Sequence, residues 1–238
     1  MNQINLGCQF YTWQMSGNRY VGKLPHILNT VRSSHFTGIE PETIMLGSYY
    51  DDPASLKKVL DQYDLVLAAL TLVCDWAGSQ ETESERQGAD RIIAYLKYFQ
   101  GTHLVLCQMP GKDRKYLQSR QANLIACVNF CARRAADQGI VCSFHPNSPM
   151  GSLFRDAGDY KILLNGLDSN VVGFAPDTGH IARGGMNVIE IFKEYRELIK
   201  HVHFKDINAV GEWTGMGEGI IDFPWIVKML LDTGYHGW

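Results

Sequence analysis

The stretch Val171-Val172-Gly173-Phe174-Ala175-Pro176-Asp177-Thr178-Gly179-His180 decides the fold: an apolar run that stops at a carboxylate and an imidazole. The same pattern recurs twice. Ile140-Val141-Cys142-Ser143-Phe144 leads into His145-Pro146-Asn147, and His201-Val202-His203-Phe204-Lys205 leads into Asp206. A short, almost continuously apolar run reads as a strand buried on both faces, as in a parallel sheet. Polar groups at its end then lie where the strand opens into a loop. That edge is where (β/α) barrels and open α/β sheets place their chemistry.

Outward from these runs, strands and helices alternate in a regular beat. Strands are expected over 6–12, 37–40, 65–72, 103–108, 140–144, 171–176 and 201–205. Helical spacing fills 24–31, 53–63, 82–99, 116–138, 159–164, 188–198 and 223–233. Asp52 is the natural N-cap of the second helix, with Pro53 at its first position, and Gly139 the natural stop of the fourth. Seven βα units with no composition shift and no Gly/Ser-rich linker argue for one domain over residues 1–238. No GxGxxG or GxxxxGK[ST] follows the first strand, which disfavours a nucleotide-binding doubly wound sheet. The fold class expected is α/β, a (β/α)8 TIM-type barrel. After the seventh helix the chain reads Gly234-Tyr235-His236-Gly237-Trp238, with no further apolar run. The barrel is therefore expected to be incomplete at its C-terminus, lacking its last strand and helix. Strands one and seven would then face an open gap, either covered by a partner chain, as in a homo-oligomer, or left at a cost in stability.

Composition excludes several classes. Lys+Arg 22 against Asp+Glu 25 leaves a net charge of −3, with no block of like charge, so no nucleic-acid partner is expected. The start, Met1-Asn2-Gln3-Ile4-Asn5, lacks a charged segment followed by an apolar one, and no apolar run nears the roughly 18 residues of a membrane span. A soluble, cytoplasmic protein without membrane contact is expected. Six cysteines without a CxxC pair fit a reducing compartment. Cys127 and Cys131, one helical turn apart, read as core packing rather than metal or redox chemistry.

Strand alternation puts Ser143, His145 and Asn147 on one face, and His201, His203 and Lys205 on another. His180 follows Asp177 after a glycine-containing turn that can fold the ring back toward the same space. Imidazoles and carboxylates converging from several strand ends suit a divalent metal. Each residue also has an ordinary reading. His145 could be a satisfied strand-end histidine, Asp177 a cap of the turn after it, and His201 a ring paired with a carboxylate behind the site. Glu40 could be a solvated loop carboxylate, and Asp206 a loop residue or a partner of His203. Trp13 and Trp76, after strands one and three, could wall a pocket by stacking on a sugar face or be rim aromatics. His26, His35, His103 and His236 read as surface or packing residues. The glycines at 215, 217 and 219 suggest either a turn or a weak phosphate loop.

Taken with Gly38-Ile39-Glu40 and Gly217-Glu218-Gly219-Ile220-Ile221-Asp222-Phe223, the ordered clusters resemble the xylose isomerase-like TIM-barrel superfamily. Within it they are similar to the sugar phosphate isomerase/epimerase group, which includes inosose dehydratase and dehydroshikimate dehydratase relatives. The resemblance spans essentially the whole chain. It implies that Asp177 and His203 bind a divalent metal (Mn, Co, Mg or Zn), and that His145 and His180 flank the metal and move substrate protons. It also implies that Glu40, counted with them as catalytic, lies with Asn147 and Lys205 where relatives contact polyol hydroxyls. Two departures stand out. Many relatives carry a glutamate ligand where this chain has Ser143, and another glutamate ligand lies on strand eight, beyond Trp238. The metal is accordingly expected to be weakly held or absent in this chain. The implied activity is isomerisation, epimerisation or dehydration of a sugar or cyclitol, by proton abstraction next to a metal-polarised oxygen. The alternative is an inactive, carbohydrate-binding relative. An abasic-site endonuclease, from the same superfamily, needs more histidines and carboxylates and a basic face.

Overall fold

The apolar runs do pair side by side. The computed structural model describes residues 4–238, so the part of the N-terminal reading that rests on residues 1–3 lies outside the described residues. In chain order the elements are β1 (Gly7–Gln9), α1 (Tyr11–Gln14), α2 (Leu24–Ser33), β2 (Gly38–Glu40), α3 (Pro53–Gln62), β3 (Val66–Leu67), β4 (Ala69–Val73) and α4 (Glu83–Leu96). They continue with β5 (His103–Cys107), α5 (Leu117–Ala136), β6 (Cys142–His145), α6 (Ala157–Gly166), β7 (Val172–Phe174), α7 (Thr178–Arg183), α8 (Val188–Glu194), β8 (Asp206–Ile207), β9 (Trp213–Thr214) and α9 (Phe223–Asp232).

Strands β1, β2 and β3 are parallel neighbours, and so are β4, β5, β6 and β7. β3 and β4 are one strand interrupted at Ala68, and a parallel bridge between Glu42 and Thr71 joins the two sheets. Beyond β7, Ile199 bridges Phe174 and His203 bridges Asp177, both in parallel. The architecture is a TIM barrel. The expected seventh strand is not a regular ladder. Lys200 N–H reaches Phe174 O and His203 N–H reaches Pro176 O, so three residues on this segment answer two on the other. That is a β-bulge, which bends the strand and re-aims its side chains.

The gap expected between strands one and seven is bridged. Asn5 N–H donates to Gly237 O, and Val202 N–H donates to Trp238 O. Trp238 lays its indole against β1 and β2: a Cβ on Gly38 would lie 2.5 Å from its Cζ3 and 2.9 Å from Ala68 Cβ. Gly38→Ala is therefore expected to cost about 1–3 kcal/mol through overpacking. A thermal melt indistinguishable from wild type would show that the contact yields freely.

The helices follow their sequence signals. α2 buries Leu24, Ile27, Leu28 and Val31, a stripe at helical spacing. Asp52 caps α3 by accepting Ser55 N–H at 3.0 Å, and Thr82 with Glu85 forms a capping box on α4. α5 turns Cys127 and Cys131 into the core, and all six cysteines are free thiols. Gly139 takes a left-handed φ of 76° just past its end. Two elements go beyond the sequence expectation. The stretch after Asp177 is a helix, α7, rather than a turn, and residues 206–214 form the antiparallel β8–β9 hairpin. Among the described residues no helix is long and apolar enough to cross a membrane.

Candidate active site

Two clusters of metal-competent side chains lie at the strand ends, one of Glu40, His201 and His203, the other of His145, Asp177 and His180. They abut: the His145 and His203 rings are 4.6 Å apart between centroids.

In the first cluster, β2 carries Glu40 into the barrel interior, where it is 4% exposed. Its Oε2 accepts from His201 Nε2 at 2.7 Å, and both oxygens accept from His203 Nε2, at 2.8 and 2.9 Å. Thr71 Oγ1 adds a donor at 2.8 Å. Burial alone would raise this carboxyl, but the His203 and His201 imidazoles outweigh it and hold the group well below the usual carboxylate range. The solvated-loop reading of Glu40 thus gives way to a buried carboxylate that binds two rings. His201 is indeed paired with a carboxylate.

In the second cluster, Asp177 stands just past β7 and caps α7 by accepting His180 N–H through Oδ1 at 2.7 Å. Its capping role and its place in the cluster coexist, because a carboxylate has two oxygens. Oδ2 lies 3.7 Å from His145 Nε2. Burial opposes its charge, yet the His180 and His145 imidazoles hold its carboxyl well below the ordinary range. His145 moves the other way. Burial would lower it, but Asp177 and Cys107 together pull it above its ordinary value. His180 is pushed down to about 3, by burial more than the Asp177 carboxylate can restore. Its Nδ1 accepts the backbone N–H of Ser148 at 3.2 Å and lies 2.8 Å from Ser148 Oγ. A backbone N–H can only donate, so the neutral ring carries its proton on Nε2. His180 is therefore set as a donor.

A cation fits between His145 and Asp177. His145 Nε2 is buried and has no hydrogen-bond partner, which is costly for a polar atom unless something else completes it. Two ligands at about 2.0–2.2 Å from one ion stand roughly 3–3.6 Å from each other, close to the 3.7 Å seen here. His203, expected to share the ion with Asp177, is grouped instead with Glu40 and His201. The reason is that Glu40 reaches across the barrel and engages its Nε2.

Around these clusters the other expected residues behave differently. Lys205 Nζ lies 3.8 Å over the Trp213 ring. Asn147 ties its loop to the end of β5: Nδ2 donates to Gln108 O at 2.8 Å, and Oδ1 accepts the Ser152 hydroxyl. The two expected tryptophans differ. Trp13 is half-buried, edge-on to Phe10. For Trp76 the pocket-wall expectation is corrected, since the residue is 0% exposed. Its backbone N–H donates to Glu85 Oε1 at 2.6 Å, and its backbone takes a left-handed φ of 44°, which turns the indole into the core. Asp206 orders the glycine loop by accepting the N–H groups of Gly217 and Gly219, each at 3.0 Å. The nest that resembled a phosphate loop is thus filled by the chain's own carboxylate.

Three residues at the site carry no motif signal. His103, read as a packing or surface histidine, is buried on β5. Its Nε2 lies 2.8 Å from Ser143 Oγ, and its ring stacks on His201 at 5.2 Å. Ser143, standing where relatives have a glutamate, is thereby engaged. Cys107 Sγ lies 3.7 Å from His145 Nδ1. Ser148, after β6, holds His180. Strand alternation could have found the first and second of these, because 103, 105 and 107 share the inward face of β5.

Comparison with known proteins agrees with this architecture. A family model described as xylose isomerase-like TIM barrel matches residues 28–238. The inosose dehydratases of Clostridium botulinum strains Alaska E43 and Eklund 17B are 30% and 31% identical to the chain over 225 residues, 81% of it and 74% of each relative. Among solved structures, the probable 3-DHS dehydratase AsbF of Bacillus anthracis has a TM-score of 0.77 at 16% identity, covering 97% of this chain and 90% of that one. The IolI protein with a binding zinc atom has a TM-score of 0.73 at 15% identity, covering 98% and 85%. At those identities the two structures share the fold.

Proposed function

The chain belongs to the xylose isomerase-like TIM-barrel family, and from that premise we propose that it is a divalent-cation-dependent dehydratase or epimerase of a sugar or cyclitol. The observation that carries this reading is the unpartnered, buried His145 Nε2 facing Asp177 Oδ2 across 3.7 Å, with a donor histidine in the same cluster. Mn, Co, Mg or Zn held by His145 and Asp177 would act as a Lewis acid on the substrate oxygen beside the reacting carbon.

The chain's own groups divide the remaining work. His203, with Glu40 drawing on its Nε2 proton, is a carboxylate-backed imidazole of the kind suited to take a proton from carbon. The C–H electron pair then becomes the double bond of an enediolate. In dehydration that pair expels a β-hydroxyl, which leaves as water with the proton His203 has just taken, while His180 Nε2–H steadies the leaving oxygen as a hydrogen-bond donor. In epimerisation a solvent-derived proton reaches the opposite face of the same carbon, and His203 releases the one it took to solvent. Lys205, over Trp213, adds positive charge on the His180 side of the site, where it meets substrate. Asn147 ties the loops after β5 and β6 together, and Ser148 orients the His180 ring.

Deuterium exchange tests this directly. Incubated with inosose in D2O and added Mn²⁺ or Co²⁺, the protein is expected to place deuterium on the carbon next to the carbonyl, read by mass spectrometry, and chelator is expected to stop it. The second reading, a carbohydrate-binding relative with no chemistry, predicts inosose binding without exchange.

A further inference from the structure

We propose that the substrate carries an anionic group, carboxylate or phosphate, received by Arg183 together with Lys205 on the Trp213 side of the site. The proposal rests on the sugar- or cyclitol-processing reading above and names the kind of polyol that the site takes.

Trp213 on β9 is the point where two cations meet. Lys205 Nζ lies 3.8 Å from its ring centroid and Arg183 Cζ lies 4.8 Å from it. The same indole stands edge-on to His180, 5.2 Å between centroids, so the cations adjoin the donor histidine. The approach is built into α7. A Cβ on Gly179 would lie 2.8 Å from Trp213 Cζ3 and 3.0 Å from Lys205 O, so only glycine lets the helix come this close. Arg183 is four residues on, on the same helix face, which is why its guanidinium reaches the same indole.

Two like charges gathered this way repel, and a protein ordinarily places a carboxylate between them. Among the described residues neither Lys205 nor Arg183 has one within 4.0 Å, whereas Arg114, Arg133 and Arg134 each hold an aspartate or glutamate. Cation–π contact with Trp213 supports the pair without neutralising it. The other anion acceptor nearby, the backbone of the 217–221 loop, is already filled by Asp206. Asp177 has one oxygen on the α7 cap and the other facing His145. Asp177 acts on Lys205 only at longer range, and exposed Arg183 has no carboxylate in contact, so its guanidinium fork is free for carboxylate or phosphate oxygens.

Calorimetry with the Mn²⁺-supplemented full chain, using quinate, myo-inositol 1-phosphate and myo-inositol as probes, tests this. At least one anionic probe is expected to bind about tenfold more tightly than myo-inositol. Whichever of quinate and the phosphate gains identifies the source of the charge. Arg183→Gln is expected to abolish the preference while leaving the myo-inositol affinity unchanged, and Arg183→Lys to retain part of it. Equal binding of all three probes, or a preference that survives Arg183→Gln, overturns the proposal while the polyol-site reading stands. Failure of all three to bind removes that reading and this proposal with it.

Discussion

Asp177→Asn is expected to abolish retention of Mn²⁺ or Co²⁺ and to lower any turnover by about 10³-fold or more, with the barrel still folded. Asparagine keeps the side-chain oxygen that accepts His180 N–H at the start of α7, and asparagine caps helices about as well as aspartate. What the substitution removes is the charge facing His145 Nε2. Fold and cation binding are thereby separated, which an alanine at 177 would not achieve. The measurements are metal content after dialysis and a melting curve. A variant that keeps its cation with unchanged affinity would move any ion away from the His145–Asp177 pair, with the Glu40–His201–His203 cluster as the next place to look.

The largest effect on stability is expected at Glu40. Glu40→Ala leaves the Nε2 donors of His201 and His203 and the Thr71 hydroxyl without their acceptor, in a space from which Glu40 itself excludes water. A buried donor left without its acceptor costs about 1–3 kcal/mol; with three such donors a loss of about 3–5 kcal/mol is expected, which for a chain of this size lowers the melting temperature by roughly 10 °C. Glu40→Gln should cost less, because one carbonyl oxygen of the same reach remains for one of the rings. A Glu40→Ala melt within about 2 °C of wild type would show that the carboxylate is not what holds the rings. Comparing the two variants also separates roles. If Glu40 backs His203 as a base, Gln should impair exchange at carbon more than it impairs folding.

Much of this protein is written locally. Apolar runs of strand length, alternating with helices, specify parallel pairing and a barrel. Asp52 and Thr82 announce their helices because capping involves only residues within one turn. Strand ends announce the chemistry-bearing clusters because a parallel strand must deliver its last residues to one edge. The family resemblance rests on the same strand-end residues.

What the tertiary structure alone decides is which of those residues meet. Glu40 lies 161 and 163 positions from the histidines it binds, and no period in the chain relates them. Their meeting depends on the register around the barrel and on the bulge at 200–203, which re-aims the strand that carries them. The same holds for Trp76, turned into the core by a left-handed backbone and by Glu85, and for Trp213, brought against His180 because Gly179 lets α7 pass closely. Local pattern sets which face a side chain is on. The partner it finds there is set by strands and loops packed from distant parts of the chain, and that information exists only once the chain has folded.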